Sequence, residues 1–286
     1  MHRKNTQIKL LESKGYSLLW GGIETSTTSV IDTKTKDSSR VNLYLAPYID
    51  YNHKSGFGLR VKTYALPGGS NPGFYLTSIS PYFAKYDGKV YPYISFTRYI
   101  QHDNPSVPYS PIQNEIYAHV RLKTKYIDPM AGIDIGFGND EQNNNESVSD
   151  VNAYVAVNHL YLKQNLGVKK NNILGIRPCL QLNAGTDRYY KFFRTTNYIS
   201  QNTKANHIGY GRGGSTSGNG TPVLANAYTI SVENDFNLSN VEMNLYLMYF
   251  FGKFSIEPSG SLYFPLRGDD KTAYGYWQIN LNYWLK

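Results

Sequence analysis

A transmembrane antiparallel up-and-down β-barrel of about twelve strands (ten to fourteen) is the fold class that this 286-residue sequence predicts. Three observations predict it. The closing segment, 273–286, places Trp277, Ile279, Leu281, Tyr283 and Leu285 on one face and Tyr276, Gln278, Asn280 and Asn282 on the other. That is a two-residue period with aromatic residues near both ends, and no helical face runs through it. The same alternation recurs along most of the chain. Between the alternating segments, long and short connections take turns, as they do when hairpins wind round a barrel with short turns on one side and long loops on the other.

The strands are read at 16–24, 41–52, 56–66, 73–86, 89–100, 112–125, 128–138, 150–163, 172–187, 240–250, 253–265 and 273–285. In the third, Phe57, Leu59 and Val61 oppose Arg60, Lys62 and Tyr64. In the sixth, Ile116, Ala118, Val120 and Leu122 oppose Glu115, Tyr117, His119, Arg121 and Lys123. The ninth sets Leu174, Ile176, Pro178, Leu180 and Leu182 against Arg177, Cys179, Gln181 and Asn183, and the tenth sets Val241, Met243, Leu245 and Leu247 against Glu242, Asn244 and Tyr246. The polar faces carry too much charge for a sandwich core, and their partners are too uniformly apolar for open water. An apolar exterior around a polar interior resolves both facts.

Composition agrees. Charged residues make up 17% of the chain, against about 25% in an ordinary soluble domain. No apolar run approaches the roughly 18 residues of a spanning helix. Mean hydropathy is −0.47, a dilution expected when half of each strand faces a polar interior. The 27 tyrosines fit aromatic girdles at two membrane interfaces, where the ring is buried and the hydroxyl stays wet. A Tyr-rich secreted β-sandwich binding glycans is the soluble alternative. Cys179 is the single cysteine, so neither an intrachain disulfide framework nor a multi-cysteine zinc site is available; a small inert residue within a strand is expected. The net charge of +8 includes no Lys/Arg block dense enough for nucleic acid.

Long connections fall near 25–40, 67–72, 101–111, 139–149, 188–239 and 266–272, and short ones near 53–55, 87–88, 126–127, 164–171 and 251–252. The segment 188–239 stands apart. It holds the glycine-rich stretch 207–221, which has little capacity to fold alone, and residues 226–234, which alternate and could extend a strand beyond the membrane. The closing strand, the segment 254–266 before Arg267-Gly-Asp-Asp-Lys271, and the pattern from 41 to 265 give the chain its resemblance. It resembles the outer-membrane β-barrel proteins of Gram-negative bacteria, particularly the Tyr- and Asn-rich barrels of Bacteroidota. One departure is the terminal residue, commonly aromatic in that family and here Lys286 after Leu285.

The resemblance implies an outer-membrane location with both termini and the short turns in the periplasm. It divides the chain into a periplasmic extension, 1–15, and one barrel domain, 16–286, with an extracellular loop at 188–239. Residues 1–15 lack the apolar core of a leader, so the leader is expected to have been removed. Outer-membrane lipid and lipopolysaccharide are the expected partners, with a second envelope or surface protein as a further candidate.

Enzymatic readings find little. Outer-membrane lipid hydrolases of the phospholipase A and lipid A deacylase kinds carry a His-x-Ser pair in which the His acts as base. This chain has one, His53-Lys54-Ser55, in a segment read as a tight polar turn on the periplasmic side. Outer-membrane proteases need Asp and His clustered at the outer rim; His102 beside Asp103, and Asp140 with Glu141, are available but read as solvated loops. The six histidines show no ligand spacing, so no metal and no cofactor is expected. Asp150, Asp269 and Asp270 lack the calcium-loop spacing of an EF-hand.

The interior remains. Arg60, Lys62, Arg121, Lys123 and Arg177 are expected to line the lumen, with Glu115, His119, Asp134, Glu242 and Glu257. Opposite charges at this density make either a salt-bridged plug or a narrow pore, and twelve strands leave a bore between filled eight-stranded barrels and open sixteen-stranded porins. Five bases against four acids give a slight preference for anions if a channel exists. The expected function is therefore a non-enzymatic barrel, either a small-solute channel or a structural or accessory subunit of an envelope complex. A lipid- or peptide-cleaving barrel is the enzymatic alternative.

Overall fold

In a computed structural model, residues 17–32, 37–68, 71–86, 88–104, 107, 111–140, 145–168, 170–186, 236–266 and 273–285 are described. The extension 1–15, most of the segment 188–239 and the alternating stretch 226–234 lie outside them. Among the described residues, thirteen strands form one antiparallel sheet: β1 (Leu18–Asp32), β2 (Asp37–Asn52), β3 (Phe57–Leu66), β4 (Gly73–Ala84), β5 (Val90–Gln101), β6 (Asn114–Leu122), β7 (Asp128–Asp140), β8 (Glu146–Asn158), β9 (Tyr161–Leu166), β10 (Asn172–Gly185), β11 (Asn237–Phe251), β12 (Phe254–Pro265) and β13 (Tyr274–Trp284). Each strand pairs with its sequence neighbour, except that β8 and β9 share one edge of β10. The ring closes where β13 pairs with β1, Trp20 opposite Trp284 and Ser26 opposite Gln278. The result is a closed barrel of twelve staves, with β8 and β9 together making one of them.

Alternation decides which face is which. Leu59, Val120, Leu180, Met243, Leu245, Trp277 and Leu281 are exposed on the outside. Their neighbours Arg60, His119, Arg121, Cys179, Glu242, Asn244, Gln278 and Asn280 are buried inside. An outer surface this uniformly apolar around a polar interior is that of a barrel immersed in lipid. At the end where the turns are short, outward rings gather into a belt. Tyr249, Phe251, Phe254 and Tyr283 follow one another with centroids 5.9, 5.8 and 4.9 Å apart, and Phe57 meets Phe83 at 5.1 Å.

The turns explain the hairpins. Phe251 pairs with Phe254 across the two-residue turn Gly252-Lys253, and Gly252 takes φ 65, the left-handed geometry that a tight hairpin demands. Both described termini lie at this end, since Leu18 pairs with Asn52 beside the β2–β3 turn and Trp284 pairs with Trp20.

Several expectations are corrected. The long connection at 25–40 is instead strand: β1 continues to Asp32 and β2 starts at Asp37, leaving four residues between them. Thr25, Ser26, Thr27, Thr28 and Ser29 resemble a loop in composition, but each is paired with β2, which satisfies its backbone. The strand expected at 150–163 is interrupted at His159 and Leu160, where β8 ends and β9 begins. Among the described residues, most tyrosines are buried in the interior rather than set in a girdle. Tyr44, Tyr64, Tyr75 and Tyr99 form one buried cluster with Ala46, Leu66 and Leu76. Tyr82, Tyr86, Tyr91, Tyr93, Tyr117, Tyr154 and Tyr246 form a second with Cys179. A third cluster, of Leu18, Trp20, Ile173, Met248, Phe250 and Trp284, fills the interior at the short-turn end.

Candidate functional site in the barrel interior

Nine of the ten residues read as lumen-facing are buried: Arg60, Lys62, Glu115, His119, Arg121, Asp134, Arg177, Glu242 and Glu257. Lys123 is not. β6 stops at Leu122 as the chain turns toward β7, and Lys123 is exposed at the rim with Nζ 6.0 Å from the Tyr91 ring.

Directly paired positions build the charged part of the interior. Arg60 faces Asp50 across β2 and β3, with Nε 2.5 Å from Oδ2. Lys62 reaches past β2 to Glu24 on β1, Nζ to Oε2 2.8 Å, over Ala46, whose side chain is too short to intervene. Tyr44 donates to the other oxygen of Glu24 at 2.8 Å. Three cations lie over the ring of the tyrosine paired with them. Lys62 sits 5.0 Å from Tyr48, Arg121 4.8 Å from Tyr91, and Arg177 4.6 Å from Tyr246. In a buried setting such contacts replace part of the lost hydration. His119 stacks on its paired Tyr93 at 5.2 Å, and Nδ1 is 3.0 Å from the Tyr117 hydroxyl. Tyr99 donates to Glu115 at 2.6 Å.

A second device recurs three times. A tyrosine lies flat across a glycine directly paired with it and bonds a polar group one strand further on. Tyr48 crosses Gly22 and donates to Asn282. Tyr82 crosses Gly58 and donates to Asp50 at 2.8 Å. Tyr154 crosses Gly132, and its hydroxyl is 2.6 Å from that of Tyr117. No side chain fits beneath these rings: a Cβ on Gly58 would lie 2.1 Å from Tyr82 Cζ, and one on Gly132 2.5 Å from the Tyr154 ring.

The wall from β10 to β13 differs. Gln181, Asn183 and Asn240 form a carboxamide chain, with Gln181 donating to Asn183 at 2.6 Å and Asn183 to Asn240 at 2.7 Å. Asn282 donates to Ser255 at 3.0 Å, and Ser255 to Glu257 at 2.8 Å.

The balance of charge departs from the sequence reading. Among the described residues, Glu24, Asp50, Glu115, Asp128, Asp134, Asp150, Glu242 and Glu257 are buried, against Arg60, Lys62, Arg121 and Arg177. Eight carboxylates oppose four bases, so the small basic excess and the anion preference built on it are withdrawn. Glu24 was the last residue of its expected strand. Asp50 alternates with Ile49 and Tyr51 in the same pattern that marked Arg60, so the period itself could have found it.

Of the enzymatic candidates, the His-x-Ser pair is in contact, His102 bonds Thr77, and Glu141 lies outside the described residues. His53 Nδ1 is 2.8 Å from Ser55 Oγ, but both sit in an exposed turn closed by Gly56 donating to the His53 carbonyl at 2.8 Å. His102 Nε2 is 2.9 Å from Thr77 Oγ1 on the outer surface. Among the described residues no group of His, Cys, Asp and Glu could hold a metal ion.

No family model matches the chain, and no curated protein matches it. Solved structures with a similar fold include the NanC porin, at 7% identity and a TM-score of 0.43 over 93% of this chain and 98% of that one. LpxR from Salmonella typhimurium is 8% identical with a TM-score of 0.46, covering 92% and 99%. An outer-membrane channel from Pseudomonas putida F1 is 9% identical with a TM-score of 0.44, covering 95% and 96%. At these values the likeness stays with the barrel class and says nothing of activity.

Proposed function

We propose that the chain is a non-enzymatic barrel of the Gram-negative outer membrane, serving as a structural or accessory subunit of an envelope complex. The observation that carries this reading is the filling of the interior. Glu24, Asp50, Glu115 and Glu242 are 0% exposed, Lys62 1% and Arg177 2%. Side chains lining a water-filled bore keep part of their surface wet. These instead hold one another through ion pairs and ring contacts, as in a plugged lumen. The outer membrane is supported by the apolar outer face, the short turns that share one end with both described termini, and the abundance of Tyr and Asn, which also favours a Bacteroidota source. Arg98 and His102, exposed near the long-loop end, suit the phosphates of lipopolysaccharide.

A narrow channel is the second reading. The surplus of buried carboxylates and the carboxamide wall favour it, and they favour cations. Planar bilayers test the pair. The expected result is a membrane that stays electrically silent after insertion, verified by a heat-modifiable band on the same sample. Steady conductance with a cation reversal potential transfers the conclusion to the channel.

A further inference from the structure

The barrel wall is stepped at its short-turn end. β8 stops at Asn158, opposite Asp128, the first residue of β7. β9 resumes the stave from Tyr161 to Leu166 against β10 alone. At that level β7 has already turned back through 123–127, so among the described residues the other edge of β9 has no strand beside it. Its unpaired N–H and C=O groups cannot lie in hydrocarbon; water or another strand must meet them. The register shift between Asn172 and Leu174 and the left-handed Asn165, at φ 61, end the regular edge near Gln164.

Exposed apolar residues cluster around this edge. Tyr126 is 69% exposed, Ile127 57%, Tyr161 57% and Val168 101%. Tyr126, Ile127 and Val168 belong to the two turns flanking the edge. Remote turns at the same end are polar: His53-Lys54-Ser55, Gly88-Lys89 and Gly252-Lys253. A rim that only touched lipid headgroups would not confine its apolar turns to this sector. The charge there has one sign. Lys123, Lys125, Lys163 and Lys170 are exposed, and the nearby Asp128 is buried and accepts from Thr124 N at 2.8 Å. A lysine on an open edge does repel stray strands, but that role leaves the apolar turn residues without a purpose.

We propose that the open edge of β9 docks an extended, acidic segment of a partner protein. The segment adds a short strand to β9 and seats its apolar side chains against Tyr126, Ile127 and Tyr161. This deepens, and rests on, the reading of the barrel as an accessory subunit.

The test uses the full chain in nanodiscs and a fluorescent peptide of alternating Glu and Val, about eight residues long. A control peptide of equal charge carries Pro in place of Val and cannot pair as a strand. The expected result is saturable binding of the Glu/Val peptide, with amide exchange across 161–166 slowed roughly tenfold or more and no such effect from the control. The double variant Lys125→Glu, Lys163→Glu, with folding verified by heat-modifiable mobility, should bind the Glu/Val peptide at least tenfold more weakly and accept a Lys/Val peptide instead. The proposal is overturned if binding leaves exchange at 161–166 unchanged, if the control binds equally, or if phosphatidylglycerol in the nanodisc protects β9 without any peptide. Conductance on the same preparation separates the two claims. An open pore with β9 protected refutes the accessory reading alone, and a closed pore with β9 unprotected refutes the docking site alone.

Discussion

The two walls of the barrel interior solve the same problem by different chemistry. From β1 to β8 the interior is built from long side chains: tyrosines laid flat over glycines, and cations held between a carboxylate and a ring. From β10 to β13 it is built largely from Asn, Gln and Ser, bonded within a strand, as Gln181 to Asn183, or to the next strand, as Asn183 to Asn240. A flat ring needs empty space beneath it, so the first wall depends on glycine placement and register. A carboxamide carries both donor and acceptor and can find a new partner by rotating. The first wall should therefore be brittle and the second forgiving.

The largest effect belongs to the brittle side. Arg60→Met leaves Asp50 in the interior without its counter-charge, and removal of one partner of a buried pair costs about 3–5 kcal/mol. Urea titration of the barrel refolded into detergent micelles should show that loss. Adding Asp50→Asn should recover much of it, because the uncompensated charge is then gone. If the single variant costs no more than an amide substitution, the distinction between the walls fails. Next is Val120→Arg on the outer face of β6. Position 121 of the same strand already holds an arginine comfortably over Tyr91. At position 120, turned toward lipid, the same side chain should cost roughly 2–4 kcal/mol near mid-bilayer. A neutral result in vesicle refolding would undo the assignment of faces. Gly58→Ala follows, at about 1–3 kcal/mol, because the new methyl displaces the Tyr82 ring. Combined with Tyr82→Ser the penalty should largely vanish, and the coupling between the two sites measures the ring-over-glycine contact directly.

What the sequence made legible follows the same division. The two-residue period identified the faces of β3, β6, β10, β11 and β13, and these strands carry seven of the ten residues read as interior, all seven buried: Arg60, Lys62, Glu115, His119, Arg121, Arg177 and Glu242. Lys123 failed because a strand end is set by where the next hairpin must begin, which periodicity does not record. The extent of β1 and β2 was hidden because Thr25–Ser29 have loop-like composition and become strand only through pairing. The tyrosines misled for a physical reason: an amphipathic ring suits a membrane interface and a polar interior equally well. The opposition of Gly22 to Tyr48, Gly58 to Tyr82 and Gly132 to Tyr154 depends on inter-strand register, so no single segment displays it.

The smallest expected effect tests the forgiving wall. Asn183 accepts from Gln181 at 2.6 Å and donates to Asn240 at 2.7 Å, and Asn240 donates in turn to Ser239 at 2.9 Å. Asn183→Ala deletes the middle of this chain. Both abandoned neighbours are amides within a polar interior, so either can turn toward another donor or acceptor, and the loss should be about 1 kcal/mol, that of an ordinary hydrogen bond. The same urea titration reads it. A loss approaching that of Arg60→Met would mean that the carboxamides act as one polarised unit whose members cannot re-pair. Both walls would then be rigid.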